Sequence, residues 1–168
     1  GGESLIKHVT RHSRIPVIQH FKGVCHLYVD EFADLTKALH ILENGKTQRP
    51  GVCNALETLL VDKNKAADFL PMVAKMFADK QVKVHACQQS IEYFDYADSA
   101  TDLDYDAEYL ALEIAVKVVD DFDMAIEHIH RFSSGHTEVI VSQDISRANE
   151  FVKRINSAVV MVNASSRF

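Results

Sequence analysis

Residues 24–62, VCHLYVDEFADLTKALHILENGKTQRPGVCNALETLLVD, contain the pattern that decides the fold. The run VCHLYVD predicts a strand whose successive side chains point to opposite faces of a sheet. In ADLTKALHILENGK, Leu35, Leu39 and Leu42 recur at helical spacing, and Gly45 followed by Pro50 marks the end of that helix. ALETLLVD predicts a second buried strand. A strand, a helix and a strand in succession favour a crossover connection between parallel strands.

The same alternation continues along the chain. Strands are predicted at VKVHA, LEIAVKVVD, EVIVS and AVVMVN, and helices at SLIKHVTRH, KAADFLPMVAKMFADK, QQSIEYF, DMAIEHIHRF and ISRANEFVKRI. The pattern therefore predicts an α/β fold with an open, mostly parallel sheet flanked by helices. Functional sites in such sheets are expected beyond the carboxyl ends of the strands.

Three segments depart from the regular alternation. The apolar run 15–18 (IPVI) opens with a proline, as a buried strand can. Pro71 lies inside a predicted helix and predicts a kink or a break there. The acidic segment 95–108 has no periodicity, so it is predicted to be a surface loop.

Composition limits the classes of function. The 168 residues are 47% hydrophobic and 25% charged, which is enough for one domain with a substantial core. With 24 acidic and 18 basic residues the net charge is -6, which argues against binding to a nucleic-acid backbone. The chain has neither an apolar run of the ~20 residues needed to cross a membrane nor a signal-peptide pattern at residue 1. These features predict a cytoplasmic protein without a nucleic-acid or membrane partner.

Neither the cysteines nor the histidines form a recognisable metal motif. Cys25, Cys53 and Cys87 match neither a CxxC motif nor a zinc knuckle, and three cysteines cannot all pair, so reduced thiols are expected. His8 and His12 have the spacing that puts two imidazoles on one helix face. No third ligand follows at a recognisable spacing, so no metal site is predicted.

Cys53 has the most distinctive setting of the three thiols. It follows the Pro-Gly turn of RPGVCN, and a rigid turn can present a thiol to a cleft near backbone amides that stabilise an anion. The alternative is that the residue is a small buried hydrophobe, as is common for intracellular cysteines and as we expect for Cys25 within its strand. Local sequence favours Cys53 only slightly as the reactive thiol.

Several blocks of the sequence resemble one enzyme family. GVCHLYVD, TQRPGVCNALETLLV, SSGHTEVIVS and VNASSRF are similar to the gamma-glutamyl phosphate reductases, or glutamate-5-semialdehyde dehydrogenases, of proline biosynthesis, which belong to the aldehyde dehydrogenase superfamily. The similarity extends in order over essentially the whole chain. It implies that residues 15–168 are the catalytic domain, truncated at its C-terminus, and that residues 1–14 are the end of the dinucleotide-binding region or a connector.

The resemblance implies a specific reaction. L-Glutamate 5-phosphate would be reduced by NADPH to glutamate 5-semialdehyde, with release of phosphate, through a thioester on Cys53. This segment alone would not turn over, because the superfamily's cofactor domain lies mostly before residue 1. The resemblance also implies a homo-oligomeric parent, and it leaves open whether a glutamate kinase is a partner or is fused to it.

The resemblance also suggests binding residues. Arg49 would lower the thiol pKa of Cys53 or attract the phosphate, unless it is an ordinary solvated loop residue. Asn163, Ser165 and Arg167 offer an amide, a hydroxyl and a guanidinium that suit a glutamate carboxylate and amine. Surface capping is the alternative for Ser165.

Two carboxylate positions of the superfamily are informative. Glu108 resembles the glutamate that accepts hydrogen bonds from the nicotinamide ribose, although an exposed carboxylate without a role is the commoner situation. Gln19 falls where the superfamily has a glutamate general base. Because a glutamine cannot take a proton, hydrolytic aldehyde oxidation is disfavoured.

Two other classes of function stay open at the level of sequence. A cysteine-nucleophile hydrolase would need a histidine within ~3 Å of the Cys53 thiol, and the candidates are His20, His26, His85 and His136. A noncatalytic α/β interaction domain would leave Cys53 buried and inert.

Overall fold

The structure is a computed structural model and describes residues 3–17 and 22–168. Ile18, Gln19 and His20 lie outside the described residues, and so do the interpretations that depend on them. Ile15, Pro16 and Val17 do not form a strand. The predicted strand at 15–18 is therefore wrong over its first three residues.

Strands and helices alternate through the described part of the chain. The strands are Cys25–Val29 (β1), Leu56–Asp62 (β2), Lys83–Ala86 (β3), Asp98–Ser99 (β4), Glu113–Val119 (β5), Thr137–Val141 (β6) and Val159–Val162 (β7). The helices are Glu3–His12 (α1), Leu35–Thr47 (α2), Lys63–Asp79 (α3), Asp102–Tyr105 (α4), Phe122–Phe132 (α5) and Ile145–Arg154 (α6), with a 3-10 turn at Ile91–Tyr93. None of these helices is long and apolar enough to cross a membrane.

The strands form one sheet in the order β4-β3-β5-β2-β1-β6-β7, and every neighbouring pair is parallel. The prediction of an α/β fold with a mostly parallel sheet is confirmed. Each pair of consecutive long strands is joined through a helix, since parallel strands need a crossover connection. All strand beginnings therefore lie at one edge of the sheet, the amino edge, and all strand ends lie at the opposite, carboxyl edge.

Aspartate side chains cap the N-termini of four helices at the carboxyl edge. The carboxylates of Asp34, Asp62, Asp121 and Asp144 each accept a hydrogen bond from a backbone N–H in the first turn of α2, α3, α5 and α6, respectively. Such a cap satisfies one of the free amides of a helix start, and its negative charge also suits that end of the helix.

Two apolar layers cover the sheet. On β1, Cys25, Leu27 and Val29 pack in the core beneath α2 and α3. Tyr28 packs on the opposite face in the core formed with α5 and α6. The alternation predicted for VCHLYVD is confirmed.

Two local predictions differ from the structure. Helix α3 continues through Pro71, so of the kink or break predicted there the break is wrong. The segment 95–108 is not a continuous loop, since it contains β4 and α4. The carboxylate of Asp104 accepts hydrogen bonds from both the backbone N–H and the hydroxyl of Thr101, each at 2.7 Å, and this capping box nucleates one helical turn that is too short to show a period.

His128 is a buried histidine on α5. Its ring packs against Tyr105 and Phe132, and its Nδ1 lies 3.3 Å from Nζ of Lys117. Burial, together with the charges of His26, Lys117 and Arg131, lowers the pKa of His128 from 6.5 to about 2. The folded protein therefore keeps this ring neutral at pH values at which the unfolded chain protonates it.

We predict that His128 makes the 168-residue chain acid-sensitive. The pKa of His128 is lower in the folded state than in the unfolded chain. The stability that the neutral ring contributes is therefore fully present above pH 6.5 and is lost as pH falls below that value. Below pH 6.5 the free energy of unfolding should fall by an amount that approaches about 1.4 kcal/mol per pH unit. Urea unfolding of the wild type and His128→Asn between pH 7.5 and 5.0 measures this slope. The variant should show a shallower slope, whereas His130→Asn, at an exposed position of α5, serves as the control. Parallel pH profiles for the wild type and His128→Asn would contradict the prediction.

Candidate active site

Cys53 lies on a turn that leads into β2. The N–H of Ala55 donates to the carbonyl of Val52 at 3.0 Å and closes this turn. The Cys53 residue is exposed, whereas Cys25 is buried and Cys87 is half-buried. The structure therefore presents Cys53 to solvent as an accessible thiol.

The site lies at the amino edge of the sheet. Cys53 precedes β2, Gly23 precedes β1 and Glu108 precedes β5, so parallel strands bring all three to the same edge. The expectation of a site beyond the carboxyl ends is wrong for these residues. The expectation applied to ligands held by loops that follow strands, whereas Cys53 lies in a loop that runs from a helix into a strand.

Gly23 joins Cys53 to Glu108. Its N–H donates to Oε1 of Glu108 at 2.8 Å. A Cβ atom on residue 23 would lie only 2.1 Å from the carbonyl oxygen of Cys53, so no other residue fits there without moving the turn. The absence of a side chain at Gly23 thus permits the close approach of the two segments.

Cys25 supports the turn from below. Its Sγ–H donates to the carbonyl oxygen of Cys53 at 3.3 Å. Burial, together with the negative charge of Glu138, raises the pKa of the Cys25 thiol. Cys25 is therefore a neutral, structural thiol, as its place in a strand predicts.

The chain beyond β7 returns to the amino edge. The guanidinium of Arg167 donates through Nη1 to Oδ1 of Asn54, the residue that follows Cys53. The hydroxyl of Ser165 donates to Oδ1 of Asn44 at 2.6 Å and accepts from the N–H of Arg167 at 3.1 Å. Within the described residues, Nε of Arg167 is buried without a hydrogen-bond partner. Arg167 thus contacts the residue that follows the candidate nucleophile, and Ser165 orders the backbone of Arg167.

Asn163 and Arg49 are not brought to the thiol in the same way. Asn163 lies at the carboxyl edge, where its amide donates to the carbonyl of Ser142 at 2.8 Å and accepts from the N–H of Ser142 at 3.0 Å. Its backbone is left-handed, with φ of 52°. Arg49 is exposed and forms no ion pair with the described residues.

The histidines considered for a hydrolase have other partners. His26 is 2.9 Å from the carboxylate of Glu138, and His85 lies between Asp104 and Glu113. Nδ1 of His136 is 2.8 Å from the hydroxyl of Thr137 and 3.9 Å from Sγ of Cys25. His20 lies outside the described residues. These contacts lend no support to a Cys53–histidine pair.

Sequence reasoning missed a buried ion pair near the site. Nζ of Lys46 is 2.6 Å from Oε2 of Glu57, and both side chains are fully buried. Burial raises the pKa of Glu57 to about 7 and lowers that of Lys46, while each charge opposes the effect of burial on the other. The signal in the sequence was a lone glutamate inside the apolar run ALETLLV. Asn54 and Gly23 carried no comparable signal, because their roles depend on tertiary contacts.

Comparison with curated proteins identifies close relatives. The chain is 64% identical over its whole length to a gamma-glutamyl phosphate reductase of Colwellia psychrerythraea and 60% identical to one of Idiomarina loihiensis. In both cases the chain spans 40% of the relative's length. No family model matches the chain.

Solved structures give the same result. A gamma-glutamyl phosphate reductase from Thermotoga maritima is 45% identical, with a TM-score of 0.95 over all of this chain and 41% of its own. A glyceraldehyde-3-phosphate dehydrogenase from Methanocaldococcus jannaschii, solved as a complex with NADP, shares the fold at 18% identity, with a TM-score of 0.77 over 99% of this chain and 45% of its own. The resemblance to gamma-glutamyl phosphate reductases is confirmed over the whole chain.

We predict that Cys53 is the fastest of the three thiols to react with iodoacetamide. Cys53 is exposed, whereas Cys25 is buried and has a raised pKa. Peptide mass spectrometry at several pH values gives the rate at each cysteine. Faster labelling of Cys25 or Cys87 would contradict the assignment.

We also predict that Gly23→Ala displaces the Cys53 turn. The added methyl group would meet the backbone of Cys53 at 2.1 Å, and backbone cannot swing aside as a flexible side chain can. Gly51→Ala is the matched control, because its new Cβ would lie 3.6 Å from the carbonyl of Leu110, an ordinary contact. The alkylation rate at Cys53 and the melting temperature should change in Gly23→Ala and stay near wild type in Gly51→Ala. Equal behaviour of the two variants would show that the close approach is unimportant.

Proposed function

We propose that this chain is the catalytic-domain segment of a gamma-glutamyl phosphate reductase. Residues 15–168 belong to that domain, and residues 1–14 end the dinucleotide-binding region or connect to it. The full-length protein reduces L-glutamate 5-phosphate to glutamate 5-semialdehyde in proline biosynthesis, with NADPH as the reductant. The observation that carries this proposal is the exposed Cys53, whose turn and the Glu108 carboxylate both contact Gly23, in a segment 64% identical to a gamma-glutamyl phosphate reductase.

Cys53 acts as the nucleophile. Its thiolate attacks the acyl carbon of glutamyl phosphate, and the bond from that carbon to the phosphate oxygen breaks. Inorganic phosphate departs, and the acyl group stays on Sγ as a thioester. The thioester is an acceptor for hydride, since its carbonyl is poorly stabilised by resonance. Cys25 and Gly23 both contact the Cys53 carbonyl, so the turn is fixed while its thiol stays accessible.

Glu108 is the residue that suits a nicotinamide cofactor. A reduced nicotinamide, when bound, supplies the hydride that converts the thioester to the aldehyde. One oxygen of the half-exposed Glu108 carboxylate accepts from Gly23, which leaves the other available to a ribose hydroxyl. This acceptor fits the proposed cofactor, and our choice of NADPH rests on the resemblance to the family.

The substrate-binding residues differ in their support. Arg167 is favoured because its guanidinium lies next to the residue that follows Cys53, where it can bind a carboxylate or the leaving phosphate. Ser165 orients the backbone of Arg167, and Arg49 is exposed four residues before the thiol. Asn163 has the weakest support, since binding substrate through its amide would break two hydrogen bonds to Ser142.

The proposal extends to the setting of the full-length enzyme. We place it in the cytoplasm as a homo-oligomer. Its substrate is an acyl phosphate, which a kinase must supply, so a glutamate kinase is a candidate partner or fused neighbour. A noncatalytic interaction domain would leave Cys53 buried, and its exposure favours the enzyme instead.

We predict that Cys53→Ala abolishes turnover in the full-length protein and leaves its fold intact. Without the thiol no thioester forms, so the rate of NADPH oxidation with glutamyl phosphate should fall by at least roughly a thousandfold. Cys87→Ser, at a half-buried thiol, is the control and should retain activity. Substantial turnover by Cys53→Ala, at a melting temperature equal to that of the wild type, would rule out the thioester mechanism.

A further inference from the structure

The buried pair Lys46–Glu57 has no part in the chemistry proposed above. Both side chains are fully buried at a separation of 2.6 Å. Taking two charges out of water costs roughly as much as their attraction returns, so such a pair is weak evidence for a contribution to stability. The contacts of Glu57 near the candidate active site suggest that the pair positions a neighbouring segment instead.

A bulge in β2 directs Glu57 towards the amino edge. In the pairing of β1 with β2, Cys25 lies opposite Leu56 and His26 lies opposite Thr58, so Glu57 is the extra residue. A bulge re-aims the side chain that it carries, and bulges are common next to active sites. Glu57 places Oε2 on Lys46, and its Oε1 accepts a hydrogen bond from the N–H of Leu110 at 3.3 Å.

The segment that donates this hydrogen bond is the one that carries Glu108. Leu110 has a φ of 53°, a left-handed conformation that is costly for a residue with a bulky side chain. Tyr109 stacks on His85 with the ring centroids 5.3 Å apart, and Nζ of Lys46 lies 6.0 Å from the Tyr109 ring. The hydrogen bond from Leu110 to Glu57 therefore helps to hold a strained backbone two residues from Glu108.

We propose that Glu57, oriented by Lys46, is a positioning residue that holds the backbone of Leu110 and thereby keeps the Glu108 carboxylate on the N–H of Gly23, which contacts the Cys53 turn. The inference rests on the proposed function, in which Glu108 accepts a ribose hydroxyl of the nicotinamide cofactor. Glu57 does not touch the cofactor itself. Its effect passes through the backbone of residues 108–110, and it is greatest on nucleotide binding and on the KM for NADPH.

Two double variants of the full-length protein isolate the acceptor for Leu110. Lys46→Gln with Glu57→Gln removes both charges but keeps a pair of side-chain amides. The amide oxygen at position 57 can still accept a hydrogen bond from the Leu110 N–H. Lys46→Met with Glu57→Leu removes the charges and the acceptor together. Apolar replacement of a buried ion pair is commonly tolerated, so both proteins are expected to fold.

Isothermal titration with NADP⁺ and amide hydrogen exchange of residues 108–112 provide the readouts. The Met/Leu variant should bind NADP⁺ roughly tenfold more weakly, as expected for the loss of one hydrogen bond to a charged group. The Met/Leu variant should also lose exchange protection over 108–112. The Gln/Gln variant should stay within about threefold of the wild type in affinity. In a Glu108→Gln background the difference between the two double variants should disappear, because their effect passes through that carboxylate.

The two double variants could instead bind NADP⁺ equally, or their difference could persist without the Glu108 carboxylate. Either result would overturn the inference. Unchanged amide exchange over 108–112 in the Met/Leu variant would also overturn the inference, and this measurement needs no cofactor. Failure of the proposed function would look different, since the wild type would then neither bind NADP⁺ nor reduce glutamyl phosphate.

Discussion

The close approach of Gly23 to the Cys53 turn is the constraint on which the candidate site depends. On one side of Gly23 the backbone of Cys53 is so near that a Cβ would overlap its carbonyl. On the other side the N–H of Gly23 binds the carboxylate of Glu108. One residue without a side chain therefore contacts both the turn of the candidate nucleophile and a carboxylate that lies 55 positions further along the sequence.

The parallel sheet places the segments that carry Gly23, Cys53 and Glu108 at the same edge. Because every strand runs in the same direction, the segments that precede β1, β2 and β5 all arrive at the amino edge. β2 lies between β1 and β5, so the Cys53 turn is flanked by the segments that carry Gly23 and Glu108. The buried core beneath these strands fixes their register, and the register fixes which side chains face one another across the edge.

The arrangement combines a rigid support with an exposed reactive group. Cys25 and Gly23 hold the carbonyl of Cys53, while the residue itself remains open to solvent. Glu57 and Lys46 lie beneath the neighbouring segment, where an ion pair is shielded from water and keeps a defined geometry. Side chains locked in this way can position a reactive constellation more closely than a flexible loop can.

The periodicity of residues 24–62 determined the strand–helix–strand unit, since buried strands and an amphipathic helix each have a characteristic spacing. The same reasoning failed at the segment 95–108, because a two-residue strand and a one-turn helix are too short to show a period. The Pro-Gly turn favoured Cys53 only slightly, and family resemblance suggested Cys53, Glu108 and Arg167 as candidates. Sequence reasoning could not show that Asn163 bonds to Ser142 at the opposite edge of the sheet.

The sequence by itself determined the class of fold, because strand and helix spacing is legible along the chain. It also singled out the candidate nucleophile, because the Pro-Gly turn before Cys53 and the resemblance of several blocks to one family agree. Only the tertiary structure decided at which edge of the sheet the thiol lies, and which residues surround it. Gly23, Asn54 and the bulged Glu57 owe their roles to contacts with residues 30 or more positions away. Such contacts depend on strand order and register, which no local pattern specifies.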